Sequence, residues 1–511
     1  MVGFSQILIV PCLINFPSIP LSILLSSVFS FEFHPLDDCE GSKMLTVQDR
    51  MLNHTCAGFG RREFLKAGAL GLAGFTLPDL LKVKAAGLTQ GKPFRNKSVV
   101  LLFLQGGPPH IEFFDPKMTA PSEYRSITGE IPTNIPGVTF GSTFPKLAKM
   151  TDKLAVVRSY QSRNSSHTYL SVTSGGNSMK AAMGAVCSRI LGTNDPTTGI
   201  PNNTLILPEA VQDGLKLGSN FETGAIPTLT DPGSLGSTYA AFNPAGGGKA
   251  KENMELNVSP ERLADRKGLL GELDSIKRNI DADGSLEGAD HFGQQAFDLV
   301  TKGVGFAFDL SKEDPKTLAK YDTRPHFDAR KLQRWGDMRR ATNLLGLQML
   351  MARRLCESGC SFVTVSDCGW DYHANNNSPK GMTGIYPMGN QVDHAVSAFV
   401  QDLHDRGLSD DVLLLVTGEM GRSPQLNANG GRGHYGDMTS LLVAGGGLNM
   451  GQVIGESDNL AAQPATRPYG PENLAATILN FLFGLGPLRL IDGLPSDVLA
   501  MSNGTPIREL F

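Results

Sequence analysis

The segment DCGWDYHANNN, residues 367–377, places Asp371 and His373 two apart, directly after an apolar run. In an extended segment alternate side chains point to the same side, so these two form a natural chelating pair for a cation. Similar groups follow three other apolar runs. QGGPPHIEFFDPK holds His110, Glu112 and Asp115; SRNSSHTY holds Ser165, Ser166 and His167; GEMGRSP holds Glu419 and Arg422. A fifth segment, GGRGHYGD, carries Arg432, His434 and Asp437 into another apolar run. Carboxylates and imidazoles without thiolates suit zinc, manganese, iron, calcium or magnesium. Each group also has a plainer reading. Asp371 and His373 form a hydrogen-bonded pair, His434 stacks on Tyr435, and Glu419 pairs with Arg422. Ser166 caps a helix, and Asp115–Pro116 makes a turn.

The elements that must position these residues are short and continuous in hydrophobicity. SVVLLFL (98–104), LAVVRS (154–159), SFVTVS (361–366), VLLLVT (412–417) and SLLVA (440–444) lack the alternation of half-exposed strands. They read as strands covered on both faces. Helical periodicity covers 339–359, with Leu344, Leu347, Leu350, Met351 and Leu355 on one face and Gly359 as the stop. It covers 389–407 in the same way, ending at Gly407. Helix–Gly–strand alternation predicts an α/β fold with a mainly parallel sheet flanked by helices. Ligands of such sheets bind beyond the carboxyl ends of the strands, where the polar segments lie. The middle, about 200–335, is polar and rich in Gly and Pro. It reads as a mostly helical, loop-rich insertion with no strand.

Composition narrows the classes. With 41 % apolar and 19 % charged residues the chain is ordinary globular protein. A net charge of −4 supplies no basic face for nucleic acid. Outside the N-terminal region four cysteines remain, Cys187, Cys356, Cys360 and Cys368, without a CxxC pair; they read as free buried thiols. GRREFLKAGALGLAGF, from Gly60, pairs Arg61 with Arg62 ahead of a Gly/Ala/Leu run. That is the pattern of a twin-arginine export signal, spanning 44–87 and recognised by the translocation machinery. Its apolar run is too short for a stable membrane anchor. Residues 1–43 are apolar but broken by Pro11, Pro17 and Pro20, with no basic residue ahead of the run; they read as an extension before a true start at Met44 or Met51. The mature protein is expected to be exported, as in a periplasm.

Taken together, LLFLQGGPPHIEFFDPK, SSHTYLSVTSGG, ARRLCESGCSFVTVSDCGWDYHANN, VLLLVTGEMGRSP and GGRGHYGDMTSLLVAGGGL resemble domain-of-unknown-function family 1501, from about residue 97 to the C-terminus. That family is similar in fold to the alkaline phosphatase and sulfatase superfamily. The resemblance implies an α/β domain over 97–511 whose strand-end loops hold one or two divalent ions, and metal-assisted hydrolysis of a phosphate or sulfate ester. By position it implies Asp371, His373, Glu419 and His434 as metal ligands, with His110 and Asp115 as further candidates. Gly433 stands where many members have Asp, which removes one ligand. Pro109 stands where many have Ser, so it cannot be a nucleophile. The catalytic set is then Ser166 or water as nucleophile, His167 for proton transfer or a second ion, and Glu419 as bridge or base. The ion would be zinc, manganese, calcium or magnesium, and the substrate a small-molecule or carbohydrate ester. The contrasting reading is a non-catalytic envelope or carbohydrate-binding module on a degenerate hydrolase fold.

Overall fold

Ser98–Gln105 (β1) is buried along its whole length. Val100, Leu102 and Leu104 enter one core, and Val99, Leu101 and Phe103 enter a second. A pleated strand sends successive side chains to opposite faces, so a run apolar at every position demands a layer on each side. The computed structural model describes residues 29–35, 43–49, 97–245, 304–336, 338–375, 379–491 and 493–511.

Six further strands join β1: Leu154–Val157 (β2), Asn203–Ile206 (β3), Phe362–Cys368 (β4), Val412–Thr417 (β5), Leu442–Gly445 (β6) and Gln452–Ile454 (β7). Their order is β7-β2-β6-β5-β1-β4-β3. All neighbours pair in parallel except β6, which is antiparallel to both β2 and β5. The expected mainly parallel sheet is present, and so are its flanking helices.

Met183–Leu191 (α1) and Pro471–Phe483 (α5) cover one face, where Val186, Leu474, Ile478 and Leu479 meet Leu413 and Leu415 of β5. Leu345–Glu357 (α3) and Ile385–Asp405 (α4) cover the other, where Leu350, Leu355, Val392, Val396 and Phe399 meet Leu414 and Val416. Phe221–Leu229 (α2) lies between α1 and α3 in the chain. Gly359, at φ +101°, ends α3 in a conformation that a residue with a Cβ resists.

Two expectations need correction. The helix predicted from 339 begins only at Leu345. Asn343, just before it, donates its side-chain amide to the carbonyls of Arg324 and Phe327, a local alternative to helical bonding. The polar middle is not free of strands, because β3 lies within it as an edge strand against β4. Four residues with only two apolar side chains leave too short a pattern to detect. Residues 246–303 of that segment, and residues 50–87 of the proposed leader with Arg61 and Arg62, lie outside the described residues. The N-terminal unit, residues 1–79, contains an antiparallel strand pair, Phe29–Pro35 with Lys43–Asp49. Among the described residues no helix is long and apolar enough to cross a membrane, and Cys187, Cys356, Cys360 and Cys368 are buried free thiols.

Leu102 is fully buried on β1, an interior strand of the sheet. Leu102→Ala should lower unfolding free energy by about 2–5 kcal/mol, the usual cost of a core cavity. Urea unfolding should show the midpoint falling with the slope unchanged.

Candidate metal centre

Parallel strands deliver all of their following loops to one edge of the sheet. The loops after β1, β2, β4 and β5 therefore share that edge. Because β6 runs the opposite way, the segment entering it arrives there too. This one reversal brings His434 to Asp371 and His373, and His167 arrives from the loop after β2. A small antiparallel pairing sets Arg422 opposite His434 and fixes its height. Gly106, at φ +109°, turns the chain after β1 under the cluster. A Cβ there would stand 2.6 Å from both the Asp371 nitrogen and Glu222 Oε1, so the position admits only glycine.

Asp371 Oδ1 is the focus. His373 Nε2 lies 3.0 Å from it, His434 Nε2 3.3 Å and His167 Nε2 3.9 Å. The His373 and His434 Nε2 atoms are 2.9 Å apart, and the His434 ring packs 4.6 Å from both other imidazoles. Arg422 donates to the same Asp371 oxygen. Burial works against the charge on Asp371. The Arg422 guanidinium and the adjoining His373 and His434 imidazoles outweigh it, holding the carboxyl well below the usual range. Asp371 is buried, while the three imidazoles are about a fifth to a quarter exposed (18–27 %), so the cluster can be reached from solvent.

The outer partners determine which ring atoms face inward. His434 Nδ1 is 3.1 Å from the Ser165 carbonyl oxygen, which can only accept. Nδ1 therefore carries the proton, and neutral His434 presents a bare Nε2. His167 Nδ1 donates to Glu419 Oε1 at 2.8 Å, which leaves its Nε2 bare as well. Glu419 is fully buried and held by the Gly106 amide at 2.9 Å. Two bare nitrogens and a carboxylate oxygen thus converge without a hydrogen among them. Such acceptors repel unless His373 Nε2, 2.9 Å from His434 Nε2 and 3.0 Å from Asp371 Oδ1, donates to them, an imidazole takes a second proton, or a cation lies between them. The ligand atoms of His167, Asp371 and His434 lie within 4.8 Å of one another, and the 3.3 and 3.9 Å separations of the His434 and His167 nitrogens from Asp371 Oδ1 are ones that a pair of ligand bonds of about 2.0–2.2 Å can span. The residues fit an ion.

The remaining candidates are placed differently. Glu419 points its oxygen at His167, and its counterion is not Arg422, which pairs with Asp371. The Ser166 hydroxyl donates to Asn164 Oδ1 at 2.8 Å and lies 3.1 Å from Thr168 Oγ1. Asp115 pairs with Lys117 at 3.3 Å and Arg158 at 3.7 Å and accepts from Ser457. His110 Nε2 donates to the Ala461 carbonyl at 2.9 Å, and burial pushes its imidazole down to about 4. Neither His110 nor Asp115 shares a partner with the Asp371 cluster. Glu112 pairs with Arg432 at 3.0 Å, both fully buried, and accepts the backbone amides of Ile127 and Thr128. His434 stacks on histidines, while Tyr435 donates to the Ala462 carbonyl.

Three contributors carry no signal in the sequence. Glu222, buried in the inserted segment, pairs with Arg340 at 2.6 Å and accepts from the Gly369 amide at 3.1 Å. Burial pushes its carboxyl up, against the pull of Arg340. Phe221 stacks on His167 at 4.3 Å. Asn164 donates to the Glu419 carbonyl and organises the His167 loop through Ser166 and Thr168. A capping box at Asn220 marks the start of α2 but says nothing of where that helix docks.

Residues 96–511 match the profile of a family described as "Protein of unknown function (DUF1501)". No curated protein matches the chain. Similar solved structures include a sulfatase from Pseudoalteromonas sp., 14 % identical, covering 82 % of this chain and 72 % of that one, with a TM-score of 0.32. The alkaline phosphatase of the Antarctic bacterium TAB5 is 11 % identical over 75 % of this chain and 97 % of its own, with a TM-score of 0.30. A phosphonate monoester hydrolase from Silicibacter pomeroyi is 12 % identical over 75 % and 73 %, with a TM-score of 0.27.

Asp367 accepts from the Trp370 indole at 2.9 Å, and its other oxygen has no hydrogen-bond partner among the described residues. Burial pushes its carboxyl up to about 7 against that hydrogen bond. The folded state then holds a proton that the unfolded chain releases near pH 4. Stability should therefore fall as pH rises from about 4 to 7. Between pH 5 and 8 the wild type should lose on the order of 1–3 kcal/mol more than Asp367→Asn, measured by urea unfolding at each pH.

Proposed function

The chain belongs to this family, and from that premise we propose that it is an exported, metal-dependent hydrolase of phosphate or sulfate esters, with Asp371, His434 and His167 as the protein ligands of its ion. The convergence of two bare imidazole nitrogens on one carboxylate oxygen carries the reading, since Glu419 and the Ser165 carbonyl set both tautomers. Imidazole-rich ligation favours zinc over manganese, calcium or magnesium. When bound there, such an ion supplies Lewis-acid polarisation of an anionic ester oxygen.

The chain's own residues do the rest. Glu419 acts on His167 from behind, fixing its orientation and tautomer as carboxylates do in carboxylate–histidine pairs. His373, partly exposed and 3.0 Å from Asp371, holds or releases a proton at Nε2 beside the reacting group. Water rather than Ser166 is the nucleophile, because the serine hydroxyl is committed to Asn164 and has no hydrogen bond to an imidazole. Arg422 does not bind the substrate. Its donors go to Gly106, Gly107, Trp370, Arg432 and Asp371. A twin-arginine leader would carry the folded, metal-loaded protein out of the cytoplasm.

One observation favours the non-catalytic module instead: Arg422 already neutralises Asp371. Elemental analysis separates the two. The hydrolase reading expects about one ion per chain, absent from Asp371→Ala and His434→Ala. Glu419→Gln should weaken metal affinity about 10–100-fold. Hydrolysis of an aryl phosphate or sulfate should disappear with the metal and survive in Ser166→Ala. A metal-free wild type, or ligand variants that keep their ion, would sink the proposal.

A further inference from the structure

Asn220 begins α2 with a capping box. Its side chain accepts from the Glu222 amide at 2.9 Å and the Thr223 amide at 3.4 Å, and Thr223 Oγ1 accepts from the Asn220 amide at 2.9 Å. This reciprocal pair pins the backbone of the next two residues. Glu222 turns inward, onto Arg340 and the Gly369 amide, just ahead of Asp371. Phe221 is left outward. Its ring lies 4.3 Å from the His167 ring at 34°, and the buried Arg340 guanidinium lies 5.4 Å from its centroid. Even so, 40 % of Phe221 is exposed. The chain thus holds a large apolar side chain half in water, anchored from behind, beside the histidine whose Nε2 faces Asp371. Neither the ion ligands nor the fold's two cores use that surface.

We infer that Phe221 is the specificity-determining residue of this site and selects esters whose organic part presents a flat apolar face, an aromatic ring or the face of a pyranose. This rests on the ester-hydrolase reading above. An anionic group seated among His167, Asp371 and His434 places its organic substituent at the rim. Phe221 is the apolar surface at that rim on the His167 side. A flat substituent covers the ring and gains packing that a methyl group cannot. Aromatic pairing adds roughly 0.5–1.5 kcal/mol beyond area, which is about 2- to 10-fold in affinity. The inserted segment would then choose the substrate, while the sheet edge supplies the charge chemistry.

The test uses non-hydrolysable ligands, so that it does not depend on turnover. Phenylphosphonate, methylphosphonate and a hexose-derived phosphonate are titrated calorimetrically into the zinc-loaded full chain and into its Phe221→Ala and Phe221→Trp variants. Bound zinc is measured in each. The wild type should prefer phenyl over methyl by about 3- to 10-fold. The alanine variant should lose that preference while keeping its zinc, and the tryptophan variant should retain it. A hexose preference that follows the same variants identifies a sugar, and a phenyl preference alone identifies an aryl group. If phenylphosphonate and the hexose-derived phosphonate bind the wild type no better than methylphosphonate, or if Phe221→Ala keeps the preference, the inference is overturned and the hydrolase reading stands. If zinc binds but no phosphonate does, the hydrolase reading fails and takes the inference with it.

Discussion

A fully buried guanidinium holds the site edge together. Arg422 donates to the Gly106 and Gly107 carbonyls after β1, to the Trp370 carbonyl and Asp371 after β4, and to the Arg432 carbonyl ahead of β6. Three loops from distant parts of the chain thus end on one planar cation. A buried charge is tolerable only if it is paired and its donors are met, and here both conditions hold. Two similar pairs flank it. Arg432 with Glu112 ties the loop after β1 to the segment before β6, and Arg340 with Glu222 ties the segment ahead of α3 to the inserted segment, which reaches the turn after β4 through the Gly369 amide. Removing one partner of such a pair leaves an uncompensated charge, at a cost of about 3–5 kcal/mol. The three pairs explain how loops with little regular structure can hold imidazoles in place.

The sheet sets the rest. Parallel order alone would deliver the groups of β1, β2, β4 and β5 to one edge and would leave the segment before the next strand at the far side. The antiparallel β6 reverses that, and the two-residue ladder between Gly421–Arg422 and His434–Tyr435 locks the incoming segment against the loop after β5. His434 owes its place to topology as much as to its neighbours in sequence.

That explains what could be read in the sequence and what could not. The strands at 98–105, 362–368 and 412–417 are legible because both of their faces are covered, which puts apolar side chains on both faces in place of strict alternation. Asp371, His373 and His167 were legible because they follow such runs. His110 and Asp115 carry the same signal, yet the short helix His110–Phe113 turns them into a separate set of partners: the Ala461 carbonyl, Lys117, Arg158 and Ser457. Sequence also does not say which nitrogen of an imidazole a carboxylate will meet. Glu419 looked like a ligand, and its oxygen instead meets His167 Nδ1, on the side away from Asp371. Glu222 and Phe221 follow no apolar run, and their role depends on how the inserted segment docks, which is set by Arg340 and Gly369 far along the chain.

The charges of the cluster bear on how an anionic ester could bind there. Asp371 and Glu419 are buried and Arg422, paired with Asp371, is the one buried guanidinium among them, so with neutral imidazoles the group sums to one negative charge. An anion approaching the three histidines would meet that excess at close range, where a low local dielectric strengthens repulsion. A divalent ion on the same atoms reverses the sign, to one positive charge. Asp371 has two oxygens, and sharing it between Arg422 and an ion is less costly than stripping it from either. Under the proposed function the ion is therefore needed for substrate binding as well as chemistry, and an anionic ester and the ion should bind together or hardly at all.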